Sequence, residues 1–494
     1  MTDRARRNLL KAAALLPLAS AFGGFAMATG QRPGASVAAR FVVQANQPGR
    51  VVSDRLTGLS YETLQLADPA FFSADNHALV ELFRTLSPRG VLRIGGNTSD
   101  YTVWSGYRGE LPIQPARKGG PQQPFVLKPE ALHALAGFLR ATGWKLVFGV
   151  NLKIGVPAMA VELATAVQRI VGDDLLAIQI GNEANNYEAD YAAFDAAWMP
   201  YAKAIRVAGV PIAGPDTGAN TDWVIDYAKR HGKENVFLSR HYYRDAAPKG
   251  SIPDLLTGDN GFYAEVEQIM QAADAGPLPF YLTEANSYYF GGRDGVSNVF
   301  ASALWGADFM LAMAQRGVAG INFHGGTLVS VESSLGREAN TAVASADLSA
   351  RRDAVTSRYS AIAGDVALGF QPRPLYYGML LAQQFAGARM LTGRLNAAGA
   401  NLTAYAAQRD GAVQLALINK DATRDVAVAV SGLQDYREGR LMRLSAPSLE
   451  SKQGIVFEGA EDTASPPIDV DVHGICHVTV PRGSAAWVRL ERSA

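Results

Sequence analysis

"LAIQIGNEANNY" (176–187) passes from apolar to polar within a few residues and leaves a glutamate, Glu183, at the turning point. The run up to Ile180 suits a buried parallel strand, which is apolar along most of its length because both of its faces are covered. Gly181 turns the chain, and Asn182-Glu183 emerge at the carboxyl end. A second stretch, "PFYLTEAN" (279–286), follows the same plan and ends on Glu284. The two glutamates are 284 − 183 = 101 residues apart.

Working outward, short apolar runs alternate with longer stretches of helical periodicity from about residue 51 to 390. The predicted strands are 56–62, 90–97, 145–151, 176–183, 211–216, 236–243, 279–286 and 320–326. Between them lie predicted helices at 129–142, 157–171, 186–208, 221–233, 262–274 and 298–316. Another follows over 374–387, with Pro374 at its start. Eight βα units predict a (β/α)8 TIM barrel over 54–387. A doubly wound open sheet is the alternative, but no glycine-rich dinucleotide loop or Walker loop follows a strand.

Beyond residue 388 the pattern changes to short alternating strands such as "NLTAYAAQRD", "AVQLALINK" and "DVAVAVSGL". They predict an antiparallel β-sandwich over 388–494. The strand-like 39–53 is expected to join it. Two connections are long, 105–128 and 327–371.

The whole chain is consistent with this division. Its 494 residues are enough for two domains, and 48% hydrophobic residues supply a core. With 46 basic and 46 acidic residues there is no electrostatic footprint for nucleic acid. Cys476 is the only cysteine, so an intrachain disulfide is excluded. At the start, Arg6-Arg7 precede a mildly apolar stretch interrupted by Pro17, and Ala26-Met27-Ala28 offers a cleavage site. Residues 1–28 therefore resemble a twin-arginine export signal, which implies a periplasmic or secreted protein without a membrane span once mature.

In a barrel of this kind the carboxyl ends of the strands face the active site. Those ends carry Glu62, Asn97, Asn151, Glu183, Asp216, His241 with Tyr243, Glu284 and His324. Strands four and seven lie across the mouth from each other, so Glu183 and Glu284 are expected to face one another over a cleft. Paired carboxylates suit glycosidic bond cleavage, one protonating the leaving oxygen and the other ionised. By contrast, His473, Cys476 and His477 in "HGICH" do not suggest a metal site. One strand cannot turn all three side chains to one face, and no fourth ligand is evident. No metal or cofactor is expected.

"IGNEANNY" and "LTEANSYY" resemble the acid/base and nucleophile motifs of the clan A retaining glycosidases. Together with "LRIGGNTSD" (92–100), "RHYY" (240–243) and "SYYFGG" (287–292), the pattern is similar to glycoside hydrolase family 79, the β-glucuronidases and heparanases. The resemblance implies Glu183 as acid/base and Glu284 as nucleophile, with Tyr243 hydrogen-bonded to Glu284. It implies Asn182 on the sugar 2-hydroxyl and Glu62 and Asn97 on other hydroxyls. Tyr289 and the Gly291 backbone would hold the glucuronate carboxylate, and Tyr359 would be a further contact. No long excisable linker stands where some members carry one, so a single-chain protein is expected. The expected activity is that of a retaining exo-β-glucuronidase on glucuronides or glucuronic-acid-containing glycans. The alternatives are heparanase-like endo action and a non-catalytic carbohydrate-binding barrel; the oligomeric state is left open.

Overall fold

The computed structural model describes residues 36–110, 124–459 and 468–492. The export-signal segment and most of the 105–128 loop lie outside these. The described residues fall into two compact units, one within Arg50–Ala388 and a second that combines those up to Gly49 with those from Arg389 onward.

In chain order the strands of the first half are β1 (Ser36–Val51), β2 (Thr57–Glu62), β3 (Val91–Gly95), β4 (Thr102–Trp104), β5 (Phe125–Leu127), β6 (Lys145–Val150), β7 (Leu175–Ile180), β8 (Ile212–Thr217), β9 (Leu238–Ala246), β10 (Phe280–Tyr289) and β11 (Gly320–Gly325). Eight of them close a barrel in the order β2-β3-β6-β7-β8-β9-β10-β11, with β11 pairing back to β2. Every pairing around it is parallel. These are the eight strands predicted for the TIM barrel.

The helices between them follow local rules. Pro129–Thr142 opens on proline, buries Leu132, Leu135, Ala136 and Leu139 at helical spacing, and stops at Gly143 in a left-handed conformation (φ 77°). Tyr191–Val207 starts later than the sequence predicts, because the Asp190 side chain caps it by accepting from the Ala193 N–H. The helix His77–Leu86 is absent from the predicted set, although Asn76 caps it and Leu79, Val80, Leu82, Phe83 and Leu86 are buried.

Inside the barrel the floor is apolar. Val91, Val147, Ala177, Ala213, Phe237 and Tyr281 pack into one cluster. Two residues further along several of these strands the interior turns polar, with Arg93, Gln179, Ser239 and Thr283 hydrogen-bonded across it. Side chains at i and i+2 share a face of a strand, so the polar layer stands directly above the apolar plug.

The 327–371 connection is built of two short helices, Leu328–Ser334 and Leu348–Ala354, followed by the start of a hairpin of β12 (Ile362–Asp365) and β13 (Gly369–Pro372). The last barrel helix is Pro374–Gln383.

The second unit holds β14 (Arg389–Asn396), β15 (Leu402–Arg409), β16 (Ala412–Asn419), β17 (Asp425–Ser431), β18 (Tyr436–Ser445), β19 (Val456–Gly459), β20 (Ile468–Asp469), β21 (Cys476–Val480) and β22 (Ser484–Arg492). They form a sheet around one apolar core that includes Phe41, Leu415, Val428, Val478 and Val488. β1 joins this sheet, as its alternating pattern predicts, but it pairs parallel with β17. The pairings among β14 to β22 are antiparallel, as predicted, and the parallel entry of β1 is the one departure recorded among the described residues. A strand arriving from another part of the chain needs no hairpin, so nothing forces it to run antiparallel. Cys476 is buried in this core while His477, its neighbour on β21, is exposed on the opposite face.

Candidate active site

Glu183 lies three residues past the end of β7, after Gly181 (φ 82°) has turned the chain. A Cβ at Gly181 would meet Leu152 and the Tyr187 hydroxyl at about 3 Å, so glycine is required for space as well as for φ. Glu183 itself is left-handed (φ 48°, ψ 47°), a conformation that costs a non-glycine residue roughly 1–2 kcal/mol. Its N–H donates to the Asp216 carbonyl at 2.9 Å, which fixes this conformation. Its carboxylate accepts from His241 Nδ1 at 2.9 Å and from Asn186 Nδ2 at 2.8 Å.

Glu284 stands on β10, where the register with β9 shifts between Leu282 and Glu284. This β-bulge turns two consecutive residues into the barrel. Thr283 Oγ1 donates to Asp216 at 2.6 Å, while Glu284 accepts from the Tyr243 hydroxyl at 2.8 Å and from Arg93 Nη1 at 2.5 Å. Burial pushes the Glu284 carboxyl up, but the charges of His324, His241 and Arg93 and the Tyr243 hydrogen bond outweigh it and hold the group at about 2.

One oxygen of each glutamate and a ring nitrogen of His241 all lie within 4.8 Å of one another. Two carboxylates and an imidazole at this spacing could in principle chelate a metal. His241 argues against that. Burial disfavours its charge, but Asp216 and Glu284 reverse the effect and raise it to about 10. As an imidazolium it donates to Glu183 through Nδ1 and to Asp216 through Nε2 (3.0 Å), leaving no lone pair for an ion.

Beneath the glutamates lies a network centred on Arg93 and Asp216, whose roles the sequence pattern does not announce. Arg93, at the centre of β3 and 1% exposed, donates to Glu284, Asp216, Asn182, Ser60 and Gln179. Asp216 accepts from Arg93, Gln179, Thr283 and His241. Burial opposes its charge, yet Arg93 and His241 hold it well below the usual carboxylate range. Arg93 was signalled in sequence by a lone charge inside "GVLRIGG"; Asp216 stood among the strand ends without a role.

The other sequence-predicted residues gather around this pair. Asn182 accepts from Arg93 Nη2 at 2.7 Å and donates to Asn97 Oδ1 at 3.1 Å. Its own N–H donates to Asp100 Oδ2 at 3.0 Å. Glu62 is buried, with Oε2 accepting from the Thr98 N–H (2.8 Å) and hydroxyl (2.7 Å), and Oε1 is 3.5 Å from His324 Nε2. Gly96 (φ 69°) makes room for it, since a Cβ there would sit 2.4 Å from that carboxylate. Tyr359, from the 327–371 connection, is 3% exposed and packs against Tyr243 and His324 with ring centroids 6.1 and 5.8 Å away. Tyr289 is 38% exposed and meets the Tyr243 ring edge-on at 6.3 Å. Gly291 (φ 83°) accepts from the Arg358 and Tyr359 N–H groups, tying the loop after β10 to the 327–371 connection.

A cleft of about 340 Å³ opens beside Glu183 and is lined also by Asn97, Asn182, Tyr187, Lys153 and Phe290. The ionised, shielded Glu284 and the more accessible Glu183, a short distance apart beside a cleft, form an arrangement able to attack a carbon centre from one side and exchange a proton on the other.

No protein-family model matches the chain. A β-glucuronidase of Neurospora crassa is 24% identical over 350 residues, which is 59% of this chain and 60% of the relative. The match thus spans less than two thirds of the relative's length. Among solved structures, a 4-O-α-L-rhamnosyl-β-D-glucuronidase of Fusarium oxysporum superposes with a TM-score of 0.67 at 18% identity, covering 91% of this chain and 99% of its own. A family 51 α-L-arabinofuranosidase of Thermotoga petrophila gives 0.67 at 14%, covering 92% and 100%. These structural likenesses show the fold.

Proposed function

We propose that this chain is a retaining exo-β-glucuronidase that removes terminal β-linked glucuronic acid. The observation that carries the reading is the glutamate pair. A separation of roughly 5–5.5 Å between carboxyl groups goes with retention, and roughly 6.5–9.5 Å with inversion. One oxygen of Glu183 and one of Glu284 lie within 4.8 Å of each other, a closeness that supports the retaining reading. The names of the Neurospora and Fusarium proteins support the sugar, as does the resemblance to family 79.

In the first step the ionised Glu284 attacks the anomeric carbon while Glu183 gives its proton to the leaving oxygen. The glycosyl ester that forms takes up the charge of Glu284, and the ionised Glu183 then serves as the base that activates water for the second step. Arg93 and Tyr243 hold Glu284 in place without reaching the sugar. Asn182, Asn97 and Glu62 meet the sugar hydroxyls, and Tyr359 walls the pocket. Tyr289 and the Gly291 N–H take the glucuronate carboxylate, where neutral donors avoid pairing with the nucleophile. The twin-arginine segment adds export from the cytoplasm to this reading.

The test pairs two variants. Glu284→Ala should abolish hydrolysis of an activated aryl β-glucuronide; activity near wild type would rule out the nucleophile. Tyr289→Phe removes a hydrogen bond to a charged group, worth roughly 1.5–3 kcal/mol, and should cut kcat/KM on the β-glucuronide by about 10- to 100-fold. Any weak β-glucosidase activity should be nearly unaffected. Equal losses on both substrates would mean that Tyr289 supports the loop and does not read the acid.

A further inference from the structure

The cleft beside Glu183 shares Asn97 and Asn182 with the groups assigned to the glucuronate ring and runs on past them to Tyr101, Lys153, Tyr187, Phe290 and Arg337. It includes the proposed proton donor but not Glu284, Tyr243, Tyr289 or Gly291. The part beyond Asn97 and Asn182 lies past the proton donor and away from the nucleophile, where the leaving group goes. On that side stands Lys153, three residues beyond the end of β6. Its ammonium lies 5.1 Å from the centre of the Tyr101 ring and 5.0 Å from that of Tyr187. Two aromatic faces hold the cation in place and leave its N–H groups available. Among the described residues no carboxylate pairs with Lys153. Phe290, which also lines the cleft, is 46% exposed and left-handed (φ 70°), with Arg337 over its ring at 5.7 Å. Arg337 is already paired with Glu332 at 2.6 Å, so Lys153 is the cation with unmet charge.

We propose that the leaving-group side of this site selects an anionic aglycone, whose acid group is bound by Lys153 and whose ring lies against Phe290. This rests on the β-glucuronidase reading and narrows its substrate class. An acidic sugar and an aromatic acid share the required chemistry, a ring bearing a carboxylate.

The experiment compares 3-carboxyphenyl and 3-carbamoylphenyl β-D-glucuronides, which are nearly isosteric and differ by one charge. The wild-type protein should favour the carboxylate by about 5- to 30-fold in kcat/KM, as expected for one charge-assisted hydrogen bond in a partly open cleft. Lys153→Met should bring the ratio close to one, and Lys153→Arg should keep it. Rising ionic strength should shrink the wild-type preference, a reading that needs no variant to fold. A second pair, glucuronate β-linked to a uronate or to the corresponding neutral hexose, separates the two sources of the acid. A Lys153-dependent preference in either pair supports the proposal. Ratios near one in both pairs for the wild-type protein would overturn it while leaving the glucuronidase reading intact. Failure to hydrolyse any of the four compounds would instead overturn that underlying reading.

Discussion

At the scale of single residues, the proposed chemistry depends on how differently two glutamates are surrounded. Glu284 is surrounded by donors and cations; Glu183 has one such partner in His241 and an amide in Asn186. Both glutamates were legible in the sequence, because each closes an apolar strand and "NE" and "TE" occur in the fourth and seventh units. Arg93 was less so. A charge within an apolar strand can point to solvent or into a barrel, and only closure of the sheet decides which. Tyr243 was identified as the partner of Glu284 and lies 2.8 Å from it. Its removal gives a directional prediction. Tyr243→Phe takes away a hydrogen bond that favours the ionised form of Glu284, so the carboxyl must rise from about 2. The proposed nucleophile acts ionised, and the acid limb of the kcat/KM profile should therefore move to higher pH. A shift of about 1–2 pH units corresponds to one hydrogen bond to a charged group. An unmoved acid limb in a pH–rate profile would mean that Arg93 and the histidines set the ionisation alone.

At the scale of elements, strand periodicity placed the strands but not their irregularities. The shifts in β10 at Glu284 and in β8 next to Asp216 make neighbouring residues share the barrel interior. Alternation cannot announce this, since a bulge breaks the very period being read. Strands β14, β18, β19 and β20 were missed for a related reason. β18, for example, is mostly partly exposed and shows no clean alternation. The loops that carry the site are tied together by Asp100, in the turn after β3. It accepts from the Leu152 and Lys153 N–H groups beyond β6, and from the Asn182 N–H and the Tyr187 hydroxyl beyond β7. Burial raises this carboxyl against the pull of all four bonds. Asp100→Asn presents an NH2 group to donors that need an acceptor, which costs about 1–3 kcal/mol. Denaturant unfolding should show that loss, and kcat/KM should fall with it because Asn182 adjoins Glu183. Full stability in the variant would show that the loops hold their positions without Asp100.

At the scale of the whole molecule, the charges in the barrel mouth predict how stability follows pH. Glu284 is lowered from 4.5 to about 2, so its contribution is complete above 4.5 and is lost as pH falls through about 2. His241 is raised from 6.5 to about 10, so its contribution is complete below 6.5 and is lost as pH rises through about 10. Both are complete between about pH 4.5 and 6.5, where the unfolding midpoint of the barrel should be highest. His241→Asn should flatten the alkaline decline; a decline that persists unchanged would locate its origin elsewhere. The eightfold barrel itself was legible from eight apolar strands alternating with helices. The parallel entry of β1 into the second sheet was not, because it depends on a partner nearly 390 residues away, Ser36 pairing with Asp425. In the proposed mechanism Glu284 forms a covalent intermediate with a β-glucuronide and Glu183 handles the protons. Proton NMR of an aryl β-glucuronide during hydrolysis, read before mutarotation, follows the configuration of the product. Two displacements give β-glucuronic acid as the first anomer formed; α-glucuronic acid appearing first would exclude the intermediate.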